Sequence, residues 1–136
     1  MVACPPVPVV LDHLGGIEAG RGMSQAGFVT VLMLLGIGNV YVKASGAYLC
    51  SQQGPDFPDV APFAQALIAA NPDRIVWGSN WPHPDGARVP GRDPFAVRPF
   101  LPVGHGDMLN LLGTWAPDAE TRRRILVDNP ARLYGF

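Results

Sequence analysis

Three short groups of polar residues follow apolar, β-branched runs and include the side chains best suited to chemistry. A histidine can transfer protons or bind a metal, a lysine can bind a carboxylate, and an asparagine can orient water through hydrogen bonds. Hydroxyl and histidine neighbours could add substrate contacts. The residues are Asp12 and His13 after the first run, Lys43 and Ser45 in the second, and Asn80 and His83 after the third.

The elements that would position these groups alternate along the chain. Residues 8–13, 39–45 and 74–80 are short, apolar and β-rich, which is typical of strands buried in a parallel sheet. Residues 24–35 and 58–70 have helical character, and Ser24 and Pro62 suit helix starts. This order predicts an α/β fold with three parallel strands and crossover helices. Because the carboxyl ends of parallel strands meet at one edge, we expect the polar groups to converge there.

The carboxyl-terminal part of the sequence has a different pattern. Residues 84–104 form a proline-rich segment that predicts a long loop and contains Arg88, Arg92 and Arg98. Residues 107–112 and 118–127 are predicted helices, with Asp118 as the N-cap of the second. Together with residues 128–136, they predict a helical carboxyl tail. We expect residues 1–136 to form a single domain.

Composition limits the function classes. The 136 residues are 48% hydrophobic and carry 10 basic and 11 acidic side chains, a net charge of −1. This balance offers no general attraction for nucleic acid or anionic lipid, so neither a nucleic-acid nor a membrane partner is expected. No apolar run approaches the roughly 20 residues of a membrane span. The start of the chain lacks a signal-peptide pattern, which indicates a cytoplasmic protein.

The cysteines do not indicate a structural metal site. Cys4 and Cys50 occur without a CxxC or Cys/His spacing, and we expect both to be free thiols. The glycine-rich stretches contain no phosphate-binding fingerprint, so a nucleotide site is not predicted.

Four segments together resemble the carboxyl-terminal part of the amidohydrolase-2 family, TIM-barrel metal-dependent hydrolases that include the 2-pyrone-4,6-dicarboxylate lactonases. They are VLDHLG at residues 10–15, VKASGAY at 42–48, RIVWGSNWPHP at 74–84 and DNPARLYGF at 128–136. The resemblance implies that the chain supplies roughly strands six to eight of a barrel. Because a complete barrel needs about 250 residues, the chain resembles a fragment without the amino-terminal half.

The resemblance also assigns residues to catalysis. His13 matches a family histidine that polarises the substrate or binds a metal, and position 80 matches an aspartate that activates water. Here that position is Asn80, which cannot take a proton. Asp85, in the loop, is a candidate replacement. The family's first-strand His-x-His pair does not occur among the three histidines. Two options stay open for a cofactor: a divalent metal such as zinc, or none.

The resemblance predicts a hydrolase acting on a lactone or related carbonyl bond of a small carboxylated substrate. His13 and Asn80 are the expected catalytic residues, with His13 also the metal-ligand candidate. Substrate contacts are expected from Lys43, Ser45, His83 and Arg88. Two alternatives remain: a decarboxylase of the same superfamily, or a non-catalytic remnant that forms homo-oligomers through exposed strand edges.

Several of these residues also have a purely structural alternative. Lys43 could form an ion pair with Asp12, and Ser45 could bond to the backbone. His83 lies between two prolines and could serve as loop scaffolding. Arg88 could be solvated, as loop arginines usually are.

Overall fold

The chain forms a three-stranded parallel sheet with helices packed along it. The computed structural model describes residues 6–83, 93, 95–97 and 99–136. The strands are β1 (Val9–Leu11), β2 (Val40–Ala44) and β3 (Ile75–Trp77), in the order β1-β2-β3. Val10 pairs with Tyr41, and Lys43 pairs with Val76. The predicted α/β class with three parallel strands is confirmed.

The helices connect the strands and then form the tail. Helix α1 (Ala26–Leu35) lies between β1 and β2, and α2 (Ala47–Cys50) and α3 (Ala61–Ala70) lie between β2 and β3. The tail contains α4 (His105–Trp115), α5 (Ala119–Arg123), a π-helical turn (Arg124–Asp128) and α6 (Asn129–Tyr134). Single 3-10 turns occur at Ala19–Arg21 and Pro72–Arg74. No helix within the described residues has the length and apolar character needed to cross a bilayer.

The main core lies between one face of the sheet and the helices. Val42 and Ala44 of β2 are buried in it. The rings of Phe28 in α1 and Phe63 in α3 meet edge to face, with centroids 4.9 Å apart. Because side chains alternate along a strand, Tyr41 and Lys43 occupy the opposite face of β2. In a TIM barrel, which the sequence resembles, this inner face of the sheet would line the barrel interior.

The tail is attached to the sheet by Asn129. This side chain is fully buried, and its amide nitrogen donates to the carbonyl oxygens of Pro72 and Ile75 at 2.8 and 2.7 Å. Both acceptors lie at the amino-terminal end of β3. The hydrogen bonds therefore fix the last helix against the end of the sheet opposite the predicted site.

The predicted element bounds were wrong in several places. The strands are shorter than 8–13, 39–45 and 74–80, because the chain leaves the ladder before His13, Ser45 and Asn80. Ser24 does not cap α1: the N-cap is Gln25, and no side-chain cap bond forms.

Two predictions on the tail have different outcomes. The helix predicted over 107–112 extends over His105–Trp115, with Gly104 as its N-cap. Asp118 does cap the next helix, since its carboxylate accepts from the Thr121 backbone N–H at 2.8 Å. Within the loop predicted over residues 84–104, residues 84–92, 94 and 98 lie outside the described residues, and these include Asp85, Arg88, Arg92 and Arg98.

Candidate functional site

His13 begins a tight turn directly beyond β1. Its backbone φ is +52°, and Leu14, Gly15 and Gly16 also have positive φ values. Only glycine adopts this region without steric cost, so the turn holds two strained non-glycine residues. Strain of this kind is most common where a side chain must be aimed in a particular direction.

The His13 side chain is held by the segment that follows β2. Its Nδ1 lies 3.4 Å from the Ser45 hydroxyl oxygen, and the Cys50 thiol donates to the His13 carbonyl at 3.5 Å. Gly46 has a φ of +62°, and a Cβ there would lie 2.9 Å from Nδ1 of His13. A larger residue at position 46 would therefore displace the imidazole. Ser45 contacts the histidine ring, an arrangement that the backbone-bonding alternative did not anticipate.

Lys43 forms an ion pair on the sheet face opposite the main core. Its ammonium nitrogen lies 2.6 Å from Oδ1 of Asp12, which follows β1. Its aliphatic chain passes over Gly78, where a Cβ would meet Cδ of Lys43 at 3.0 Å. Of the two alternatives for Lys43, the structure contains the ion pair.

Asn80 and His83 meet through a tyrosine. Asn80 lies beyond β3 with a φ of +60°, and its side-chain nitrogen donates to the hydroxyl of Tyr48 at 2.7 Å. The same hydroxyl lies 3.0 Å from Nδ1 of His83. Burial raises the pKa of Tyr48, so this hydroxyl remains protonated and can donate in turn. The three side chains therefore form one hydrogen-bond chain across the loop beyond β3.

Among the predicted site residues that the structure describes, His83 and Ser45 are buried. His83 is only 4% exposed, and its ring lies 4.8 Å from the ring of His105, centroid to centroid. Burial lowers the pKa of His83, and the charge of His105 lowers it further. His83 is therefore held in its neutral form. Within the described residues, its buried Nε2 has no hydrogen-bond partner.

The structure thus gathers the predicted residues into two groups joined by one segment. His13 is associated with Ser45, and Asn80 is associated with His83 through Tyr48. Ser45 and Tyr48 are three residues apart, so residues 45–48 bring the groups to the same edge of the sheet. Arg88 lies outside the described residues.

Tyr48 was not predicted as a site residue. It belongs to the VKASGAY segment, but its position depends on α2, a four-residue helix that begins after left-handed Gly46. Helices this short leave no periodic signal in a sequence. The available signal was local: the glycine next to Ser45 permits a sharp turn that returns the chain toward the sheet edge.

The described side chains do not by themselves fit a metal ion. No group of three or more His, Cys, Asp or Glu side chains in the described ranges could hold one. His13 contributes a single imidazole, and the amide nitrogen of Asn80, turned toward Tyr48, cannot coordinate a cation. Zinc typically takes three or four protein ligands. The described residues therefore do not form a complete zinc site by themselves.

The chain is similar to lactone hydrolases over nearly its whole length. It is 41% identical over 135 residues to a 4-sulfomuconolactone hydrolase from Rhizobium radiobacter, an alignment that covers 99% of this chain and 42% of the relative. It is 32% identical to a 2-pyrone-4,6-dicarboxylate hydrolase from Comamonas testosteroni, covering 95% of this chain and 41% of that protein. The chain thus spans about four tenths of the length of these relatives.

The fold is also similar to that of a solved relative. The crystal structure of a Pseudomonas putida protein described as a 2-pyrone-4,6-dicarboxylic acid hydrolase superposes with a TM-score of 0.72 at 30% identity. The superposition covers 96% of this chain and 44% of that one. The three strands and their helices are therefore part of an amidohydrolase TIM barrel. A model of the amidohydrolase family matches residues 1–136, and the chain belongs to that family.

Proposed function

We propose that this chain supplies the carboxyl-terminal part of a lactone hydrolase for small carboxylated substrates. One observation carries the proposal: the chain aligns with lactone hydrolases over 99% of its length, and its candidate residues follow the carboxyl ends of parallel strands. Barrel enzymes place their active sites at this end. We also propose a cytoplasmic location, which is supported by the free, buried thiol of Cys50.

The reaction would be hydrolysis of the cyclic ester. Water attacks the lactone carbonyl, the bond between the carbonyl carbon and the ring oxygen breaks, and the ring oxygen receives a proton to give an open hydroxy acid. His13 would polarise the carbonyl by donating a hydrogen bond to its oxygen. Asn80 would contact the attacking water. The substrate carboxylate would bind either to Arg88 or to Lys43, which would exchange its ion pair with Asp12 for the substrate.

Asn80 limits this reaction. An amide can orient water through its oxygen, but it cannot accept the proton that the attacking water loses. General-base catalysis typically contributes about 10²-fold to 10⁴-fold in rate. We therefore expect slow hydrolysis with Asn80 and faster hydrolysis when a carboxylate replaces it.

A chimera tests the proposal. Residues 1–136 would replace the matching segment of the Rhizobium radiobacter relative, and lactone opening would be followed for 4-sulfomuconolactone and 2-pyrone-4,6-dicarboxylate. We expect measurable hydrolysis, a gain with Asn80→Asp, and a loss of about 10²-fold or more with His13→Ala. Tyr134→Phe, which alters an exposed ring in α6, is the matched control. A folded chimera that opens neither lactone, even with Asn80→Asp, would contradict the proposal.

A second candidate function is self-association without catalysis. In the described part of the chain, the outer sides of β1 and β3 have no partner strand, and Val9 on β1 is partly exposed. Unpaired edges recruit other strands. A concentration-dependent increase in mass on size-exclusion chromatography with light scattering would support this role, whereas a monomer at all concentrations would refute it.

A further inference from the structure

The hydrogen-bond chain through Tyr48 has a defined direction. The side-chain nitrogen of Asn80 can only donate, so the Tyr48 oxygen accepts at this contact. The Tyr48 hydrogen is then available for Nδ1 of His83, at a distance of 3.0 Å. Each of the two contacts then joins one donor to one acceptor.

The direction fixes where His83 carries its proton. A neutral imidazole has one N–H, and if Nδ1 accepts from Tyr48, the hydrogen must be on Nε2. The enclosed position that lowers the pKa of His83 favours this neutral form. Nε2 is buried and lacks a partner among the described residues, although a buried N–H without an acceptor costs about 1–3 kcal/mol.

We propose that Asn80 and Tyr48 are positioning residues that fix His83 as its Nε2–H tautomer, so that His83 offers a hydrogen-bond donor. An N–H suits a carboxylate or carbonyl oxygen, the groups of the substrate class proposed above. That use of the donor depends on the proposed function, whereas the tautomer itself does not.

The residue at position 80 determines the direction of the hydrogen bonds that run through Tyr48 to His83. A carboxylate can only accept, so in Asn80→Asp the Tyr48 hydroxyl would donate to the new carboxylate. The Tyr48 oxygen would then accept from His83, which requires a proton on Nδ1. A single change from amide to acid thus reverses the chain and converts Nε2 of the neutral ring from donor to acceptor.

Long-range ¹H–¹⁵N correlation spectra of the labelled 136-residue chain test this proposal. They would be recorded at about pH 8, where a histidine of ordinary pKa is neutral. His83→Gln identifies the His83 signals among the three histidines. In the unmodified chain we expect the proton on Nε2, a result that needs no variant to fold.

The variants then test how the tautomer is fixed. We expect Tyr48→Phe to give a mixture of tautomers and Asn80→Asp to place a proton on Nδ1, while Tyr134→Phe leaves His83 unchanged. A proton on Nδ1 of His83 in the unmodified chain would overturn the proposal. It would also be overturned if Tyr48→Phe and Asn80→Asp both fold and both leave the proton of His83 on Nε2. None of these readouts requires turnover, so failure of the proposed hydrolysis would be seen separately.

Discussion

The ammonium nitrogen of Lys43 lies 2.6 Å from a carboxylate oxygen of Asp12, joining β2 to the end of β1 across the inner face of the sheet. The Asp12 side chain is 54% exposed, and that of Lys43 is 31% exposed. Water and salt therefore screen the pair, and exposed pairs of this kind contribute about 0–1 kcal/mol.

We accordingly expect Lys43→Met to lower the free energy of unfolding by less than about 1 kcal/mol, with the difference shrinking at high salt. Urea unfolding at low and high ionic strength measures this. Arg132→Met, on α6, removes a positive charge from an exposed residue and serves as the control. A loss of several kcal/mol for Lys43→Met would mean that the ion pair is a major stabilising contact.

Gly46→Ala should disturb His13 directly. Position 46 has a φ of +62°, and the added Cβ would lie 2.9 Å from Nδ1 of His13. We expect a loss of about 1–2 kcal/mol from the backbone alone, together with altered His13 ring shifts in NMR spectra. Gly113→Ala is the matched control, because a Cβ in that part of α4 meets nothing within 4 Å. It should be neutral or stabilising by up to about 1 kcal/mol. Equal effects of the two substitutions would contradict this prediction.

Asn129→Ala should be strongly destabilising. It removes two hydrogen bonds and leaves the buried carbonyl of Ile75 and the partly buried carbonyl of Pro72 without these donors. Each bond contributes about 1 kcal/mol and each orphaned group costs about 1–3 kcal/mol, so we expect a loss of roughly 2–4 kcal/mol in urea unfolding. Asn110→Ala, on the exposed face of α4, should change stability by less than about 0.5 kcal/mol. An Asn129 variant as stable as the Asn110 variant would show that the tail is fixed by other contacts.

His83 should make stability depend on pH. Burial and the neighbouring His105 lower its folded-state pKa below that of an ordinary histidine, so the unfolded chain binds more protons as the pH falls. The contribution of neutral His83 to the free energy of unfolding is complete above the pKa of the unfolded state. It is lost as the pH falls through the lower pKa of the folded state. We expect His83→Gln to reduce the dependence of unfolding free energy on pH below about 6.5. An identical pH profile for both chains would refute this assignment.

Cys50 should resist alkylation until the chain unfolds. Burial, together with the negative charge of Asp59, raises the pKa of this thiol to about 12, and the thiolate is the reactive form. In a Cys4→Ser background at about pH 8, we expect iodoacetamide to modify Cys50 only in denaturant, as measured by mass spectrometry. Modification of the native chain at the rate of the unfolded chain would contradict the buried position of Cys50.

The order of elements was predictable because it depends on local composition. The β-branched runs and the apolar helices α1 and α3 were each found near their observed positions, and the strand order follows from parallel crossover connections. The ends of the strands were not predictable. His13 and Asn80 leave the sheet in left-handed conformations that non-glycine residues rarely adopt, and only tertiary contacts stabilise them.

The site was predictable in part. The positions beyond the predicted strands identified His13, Asn80 and His83 as candidates, and the resemblance assigned roles to His13 and position 80. Whether they act on a substrate is still a prediction. The link between Asn80 and His83 could not be read from the sequence, since it requires Tyr48, 32 and 35 residues away along the chain. Asn129 lay within a recognised segment, but its role depends on carbonyls 54 and 57 residues earlier.

The attachment of Asn129 to the amino-terminal end of β3 separates the contacts that stabilise the tail from the residues of the candidate site. Its contacts with Pro72 and Ile75 lie at one end of the sheet, while His13, Tyr48 and Asn80 occupy the other. Substitutions at the end that holds the candidate site can therefore accumulate without loosening the tail, and stabilising changes near the tail can compensate for them. The candidate site can thus vary while the fold is maintained.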